Sequence, residues 1–328
     1  LIRAIETNPN AQVRQTAWRL AQENHGSDAR LARIRKPMGS SVLALYERAL
    51  AARTAAARNG ILDTYAQAND NWTRSAIAAA ATEQASAYVA SAFAHERAPA
   101  LTEFVALVAP AALPASASQL LVATAGAGAP ASALKAPVVR AVARMEGGAI
   151  VMDAATTAAL EKLLNDPATS AAALPVVAKW DKAGALGASA DRQAAVLQRE
   201  LADPKASDDR RAELAASLLA VPKSRAQALA TIAPMLVDPA VSDSLKARVT
   251  TTLGESAGAD VDAVMIAALA RTPSTPLFDQ ILRRPDATLA LLAAMKDGKV
   301  TPANLGPANI ARLRTHPNRQ VARQAAAL

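Results

Sequence analysis

Near the C-terminal end the chain reads His316-Pro317-Asn318-Arg319-Gln320-Val321-Ala322-Arg323, and near the start it reads Asn8-Pro9-Asn10-Ala11-Gln12-Val13-Arg14. Both stretches set a polar residue before a proline, then an apolar residue and an arginine on what reads as a helix. Looser copies stand at Asp166-Pro167, Asp203-Pro204, Asp238-Pro239 and Thr272-Pro273, whose prolines fall 37, 35 and 34 residues apart. A period of this size built from paired helices is the signature of HEAT-type and armadillo-type solenoids. The fold class that follows is all-α, a HEAT/armadillo-like α-solenoid of paired antiparallel helices. A solenoid makes surface in preference to an enclosed pocket.

Composition agrees. Alanine, the best intrinsic helix former, dominates an apolar fraction of 52%, while aromatic residues make up only 3% of 328 residues. No segment shows the period-2 alternation of a half-buried strand. The net charge of +8 reads first as an arginine-rich solvated surface, because the basic residues are scattered with no block of five or six. Its competing reading is attraction to nucleic acid, anionic lipid or an acidic protein. Cysteine is absent, which excludes disulfides, thiolate metal sites, a Cys nucleophile and C-x-x-C-H haem attachment within these residues. No apolar run reaches the length of a membrane span, and the residues after Leu1 lack a signal-peptide pattern. The helix that reads as unfinished at Leu328 leads us to expect further chain on either side.

The segments arrange as residues 1–108, N-terminal helical repeats; 109–137, an irregular Pro/Ala/Gly-rich joint with one helix around Ser118–Ala123; and 138–328, C-terminal HEAT-like repeats. Together they form one continuous solenoid. A first helix is expected over Ala11–Gln22 with Val13, Ala17, Leu20 and Ala21 inward. Ser40 or Ser41 then caps a helix through Leu43, Tyr46, Leu50 and Ala57 that stops at Gly60. Later, Ser207 and Ser242 read as N-caps, with Leu214 and Leu218 buried after the first, and Leu245, Val249 and Leu253 after the second. Gly254 reads as a left-handed helix terminus. The next helix starts at Asp260 and buries Val261, Val264 or Met265, and Leu269.

No catalytic constellation is evident, so no catalytic, cofactor or metal residue is assigned and no cofactor is expected. His25, His95 and His316 stand apart, without the i, i+4 partner of a zinc helix, and His316 reads as a solvent-facing turn residue. Gly126-Ala127-Gly128 lacks the third glycine, the lysine and the preceding strand of a phosphate loop. Asp208/Asp209 and Asp260/Asp262 are explained by capping and the helix dipole. Arg14, Arg74, Arg248 and Arg323 read as bridges to a carboxylate or carbonyl of the next repeat, with a ligand-binding stripe as the alternative. Trp18, Trp72 and Trp180 read as packing between helices, with one of them lining a concave surface as the alternative; three are too few for a base-stacking platform.

The run Leu289-Ala290-Leu291-Leu292-Ala293-Ala294-Met295-Lys296-Asp297-Gly298-Lys299, followed by Leu305 and by Leu313 through Ala325, resembles a known arrangement. So does Asn69-Asp70-Asn71-Trp72-Thr73-Arg74-Ser75-Ala76-Ile77. The likeness is to the HEAT-repeat region of large exported bacterial proteins that carry a sugar-dehydrogenase-like β-propeller before it and a c-type cytochrome domain after it. It covers a minority of the chain, and neither the propeller nor the haem motif is present, so no family catalytic residue carries over. The resemblance implies an exported, periplasmic, non-catalytic scaffold that positions dehydrogenase and c-type cytochrome modules of a larger protein. Its partners would be other protein modules or subunits, with no membrane span and no nucleic acid. The rival expectation is a HEAT-like nucleic-acid-binding protein such as a DNA-repair glycosylase. A lyase on a HEAT scaffold would need a cleft of convergent acids or histidines, which the sequence does not locate.

Overall fold

The computed structural model describes residues 13–14, 16–17, 20–21, 42–147 and 150–327. These residues are helical, with no strand among them. Two compact units divide between Leu186 and Gly187. Residues 109–137, read above as a joint, hold a 3-10 turn at Ala109–Ala112, the helix Ala117–Gly126, and the start of a helix that runs through Pro137.

The first unit contains α1 (Val42–Ala51), α2 (Ala55–Gln67), α3 (Asn71–Ala81), α4 (Ala85–Phe93), α5 (Thr102–Val108), α6 (Ala117–Gly126), α7 (Ser132–Arg144), α8 (Ala154–Asn165) and α9 (Ser170–Trp180). The odd-numbered helices form one file, each packing on the next: α1 on α3, α3 on α5, α5 on α7, α7 on α9. Beside it, α2 packs on α4 and α6 on α8. Three large rings fill the centre. Tyr65 and Tyr88 stand edge-on to Phe104, with centroids 5.0 and 5.9 Å away. Each such pair adds about 0.5–1.5 kcal/mol beyond the area it buries. Alanines pack closely around these rings; Ala49, Ala80, Ala81 and Ala92 are fully buried.

The second unit contains α10 (Gly187–Ala202), α11 (Asp208–Leu219), α12 (Pro222–Met235), α13 (Asp243–Glu255), α14 (Ala259–Arg271), α15 (Thr275–Leu282), α16 (Pro285–Lys296), α17 (Pro302–Arg314, kinked at Gly306-Pro307) and α18 (Arg319–Ala326). The same next-but-one rule holds throughout. The even helices α10, α12, α14, α16 and α18 pack in succession, as do the odd helices α11, α13, α15 and α17. Each of these helices is too short to stand alone in water, so its buried stripe needs neighbours on both sides.

Side-chain caps set where the helices begin. Thr54, Asp70, Asp153, Ser207, Ser242, Ser274 and Asn318 each accept a backbone N–H from the first turn. Pro222, Pro285 and Pro302 occupy the first helical position, where no amide is missed. Leu214, Leu218, Leu245, Val249, Leu253, Val261, Met265 and Leu269 are buried as their spacing predicts.

Several expectations need correcting. The predicted helix from Ser40 or Ser41 to Gly60 is two helices, because the chain breaks at Ala52–Thr54 and Thr54 caps a new start. Gly60 lies inside α2 in open space. Gly254 is helical within α13 and is not a left-handed terminus; a Cβ there would meet the flexible side chain of Gln280 on α15, which would have to shift. The strained position is Gly258, at φ 143°, where the chain turns into α14. Of the helix expected over 11–22, the described residues are helical, but Val13 and Leu20 are exposed and only Ala17 and Ala21 face inward. The Ser40 and Ser41 positions lie outside the described residues.

These two glycines respond in opposite directions to alanine. Gly60→Ala should stabilise the chain by about 0.5–1 kcal/mol through helix propensity. Gly258→Ala should cost more than about 1 kcal/mol through its backbone angle and the crowding of Arg225 and Asp260. Chemical unfolding of the purified variants reads both.

Candidate functional site

Four of the proline turns share one geometry, while the Asn8-Pro9 copy lies outside the described residues. Asp166, Asp203 and Asp238 each accept, through Oδ1, the backbone N–H two residues on, across the proline, at 3.0, 2.9 and 2.8 Å. His316 does the same with its Nδ1, which accepts from Asn318 N–H at 3.0 Å. Thr272 does not follow, since there the hydroxyl of Ser274 caps the next helix. With Nδ1 occupied as an acceptor, the proton of neutral His316 sits on Nε2 and is donated to the carbonyl of Leu282 at 3.0 Å. His316 is therefore a half-buried latch, not the solvent-facing residue its sequence context suggests.

That latch belongs to a set. The Leu282 carbonyl lies at the C-terminal end of α15, where helix carbonyls lose their intrahelical donors. Asn304 donates to Ala270 O near the end of α14, Lys179 to Met145 O at the end of α7, and Gln84 to Leu50 O near the end of α1, each from 34 residues away. Tyr88 OH reaches Ala49 O, and burial pushes this phenol well above its ordinary range. Arg284 donates to Ser256 O and Arg225 to Ala257 O, both just past the end of α13. Gln84, Lys179, Arg284, Asn304 and His316 thus reach back to the helix ends of the period before, while Arg225 reaches forward to the loop after α13.

Carboxylates at helix starts are engaged in the same way. Asp260 takes Arg225 Nε at 2.6 Å, Asp209 takes Arg248 at 2.5 Å, Asp208 accepts from the Ser242 hydroxyl, and Asp262 accepts from Arg284. Capping alone does not account for Asp208, Asp209, Asp260 and Asp262; they tie helices together. Among the arginines singled out above, Arg74 bonds Ala68 O and pairs with Glu103, and Arg248 pairs with Asp209. Arg14 is half-buried and Arg323 exposed. His95 is buried, its Nδ1 accepting from Arg97 N–H and its Nε2 lying 3.6 Å from Asp63. Trp72 is 79% exposed, so it is not packing between helices. Trp180 is half-buried with Lys179 Nζ 5.2 Å from the ring centre, while Trp18 and His25 lie outside the described residues. Gly126 ends α6 and Gly128 precedes a 3-10 turn.

A concave feature lies in the second unit. A groove of about 900 Å³ runs between α14 and α16. Ala263, Ala267, Ala290 and Ala293 form its exposed lips, and Ile266, Ala287, Ala294 and Val300 its buried floor. Asp262, Arg284 and Asp286 stand at one end, Asp297 and Lys299 at the other. Since Arg284 precedes α16 and bonds a first-turn residue of α14, the two helix N-termini lie side by side there. Burial and the neighbouring Arg225 cation depress Arg284 below the ordinary guanidinium range. The lining offers apolar contact with charge at its ends, as a binding groove does. Among the described residues no cluster of His, Asp or Glu could hold a metal, and no helix is long and apolar enough to cross a membrane. The groove was missed from sequence because the alanines at 263, 267, 290 and 293 read there as plain helix formers.

Comparison with known proteins returns no matching family model and no matching curated relative.

The Arg225 hydrogen bonds hold the Asp260 carboxyl below its ordinary range. A depressed folded-state value means the pair stabilises the chain above the unfolded carboxylate value, about 4, and loses that contribution as pH falls through the lower folded one. Asp260→Asn should therefore lower the thermal midpoint at neutral pH, and its difference from the parent chain should shrink as pH falls below about 4. Parallel melts from pH 7 to pH 2.5, about the range acid titration needs, decide it.

Proposed function

We propose that the chain is a HEAT/armadillo-like α-solenoid that works as a non-catalytic scaffold, binding and positioning other protein modules. The observation that carries this reading is the pairing of next-but-one helix packing with polar latches one period apart, repeated along each unit. Such an arrangement adds length and surface with each period and has no need of a central catalytic cleft. The likeness of residues 289–325 and 69–77 to the repeat region of exported dehydrogenase–cytochrome proteins supports a periplasmic setting. Dehydrogenase and c-type cytochrome modules would then be the cargo.

The nucleic-acid reading rests on the charge of +8. It is weakened by where the cations go. Arg74, Arg210, Arg225, Arg248, Arg284 and Arg312 each sit on a carboxylate within the fold. A guanidinium already paired has little left for a phosphate backbone.

The repeat reading has a sharp test. Excising residues 208–242 joins Ser207 directly to Asp243, so one N-cap serine replaces another and α13 takes the place of α11. A solenoid should tolerate the loss of one period, with cooperative unfolding and a smaller denaturant dependence in proportion to its length; collapse to an unfolded chain would count against it. The scaffold reading further expects that purified chain 1–328 neither oxidises sugars or alcohols with an artificial electron acceptor nor binds duplex DNA in a steeply salt-dependent way. Turnover would replace it with an enzyme, and salt-sensitive binding with the nucleic-acid rival.

A further inference from the structure

We propose that the basic end of the second unit, built by α17 and α18, docks an acidic segment of a partner protein that carries one bulky apolar side chain among its carboxylates. This names the partner chemistry of the scaffold reading and rests on it.

The positive charge of the chain is not evenly spread. Residues 42–297 hold 24 lysines and arginines against 25 aspartates and glutamates, so that stretch is close to neutral. Residues 298–328 hold five cations, Lys299, Arg312, Arg314, Arg319 and Arg323, and no aspartate or glutamate. Two of the five are taken within the fold: Lys299 pairs with Asp297, and Arg312 pairs with Asp279 at 2.8 Å. Arg314, Arg319 and Arg323 are exposed and pair with no carboxylate of the described residues.

Helix chemistry accounts for Arg314 and Arg323, each in a last turn, but not for Arg319. The helices α11, α13, α14 and α16 all carry aspartate in the first turn, as the helix dipole favours. In α18 that turn holds Arg319 instead and no acid. Arg323 follows at i+4, so two like charges share one face about 6 Å apart at Cβ and repel. That face lies opposite Val321 and Ala325, which are buried. The turn between Arg314 and Arg319 is fastened by His316 to Leu282 O, and by Asn318 to the first amides of α18. The three cations are therefore presented from a fixed frame, in an arrangement that an incoming anion relieves.

An apolar hollow adjoins them. The helix α17 breaks at Gly306, φ 77°, and Pro307, and beside the break lies a hollow of about 540 Å³. Pro302, Pro307, Ile310 and Ala311 line it together with Arg314 and Thr315. An apolar side chain entering it brings a neighbouring carboxylate onto Arg314, and further carboxylates meet Arg319 and Arg323 across the turn. A nucleic acid is served less well. Residues 298–328 contain no Phe, Tyr or Trp on which a base could stack, and three free cations are few for a phosphate backbone. A membrane is also served less well. Val321 and Ala325 face inward, and no large apolar side chain of the described residues 299–327 is exposed to enter a bilayer.

Three short labelled peptides test this by fluorescence anisotropy against purified chain 1–328. One carries glutamates around a single leucine, the second has glutamines for the glutamates, and the third has serine for the leucine. The first should bind at least about tenfold more tightly than the second, and more tightly than the third, with an affinity that falls as salt rises. Arg319→Glu should weaken it at least about tenfold while the melting temperature stays level or rises, since a carboxylate suits the first turn of α18 and pairs with Arg323 at i+4. Lost binding in that variant is then not lost folding. A first peptide that binds no better than either of the others, or an affinity untouched by Arg319→Glu, overturns the proposal. So does single-stranded DNA or a phosphatidylserine vesicle that binds more tightly than the first peptide and is released by Arg319→Glu. If the proposal falls while the 208–242 excision still folds and no turnover is found, the scaffold reading stands without this surface. If the excised chain fails to fold but the peptide discrimination holds, the surface stands and the repeat reading falls.

Discussion

A helix end leaves carbonyl groups without donors, and in this chain the donors come from the next period. Many helices end on a glycine in the left-handed region, which folds the chain back onto its own last turn. Here α1, α14 and α15 end without one. Their last carbonyls are taken by Gln84 and Tyr88, by Asn304, and by His316. The satisfaction of one helix thus depends on the correct placement of the element that follows about one period later. Short helices that cannot persist alone are in this way tied to a fixed spacing, and the spacing becomes a property of hydrogen bonding as well as of apolar packing.

This constraint explains what the proline turns do. Asp166, Asp203, Asp238 and His316 lock the backbone across a proline with a single acceptor. Histidine differs from aspartate in keeping a second nitrogen, and His316 uses it to reach the carbonyl of Leu282. One residue thereby sets its own turn and fastens it to the preceding period. The arginines extend the same logic to loops. Arg225 and Arg284 both close on residues 256–257, and the strained Gly258 follows because a side chain there would collide with Arg225 and Asp260. Electrostatics in this region serves geometry: the cations are held by carbonyls and carboxylates of the fold.

How far the sequence discloses this depends on the range of the interaction. Ser207 and Ser242 were legible because a cap bonds an amide three residues away, and Leu245, Val249 and Leu253 because helical spacing is local. Gly60 was misread for the same reason: a glycine stops a helix only when nothing else already has, and Thr54 had started a new one. Gly254 is likewise not the left-handed terminus expected of it, since α13 runs on through Glu255. The partners of Asp208, Asp209, Asp260 and Asp262 lie 22–39 residues away, beyond any local rule. Trp72 shows the limit on the apolar side, because its helical position gave no sign that it faces solvent.

The groove was hidden by the feature that makes the fold easy to read. Alanine favours helix and lets helices approach, and so it marks this chain as all-α on sight. The same methyl group is indifferent to its surroundings. Ala80 at the core and Ala290 on an open lip are indistinguishable in the sequence, although one is sealed and the other exposed. Leucine or phenylalanine would have declared which face is buried. A chain built on alanine therefore encodes its helices strongly and its surfaces weakly. Binding surfaces in it are better sought where charge is left without a partner in the fold, as at Arg314, Arg319 and Arg323.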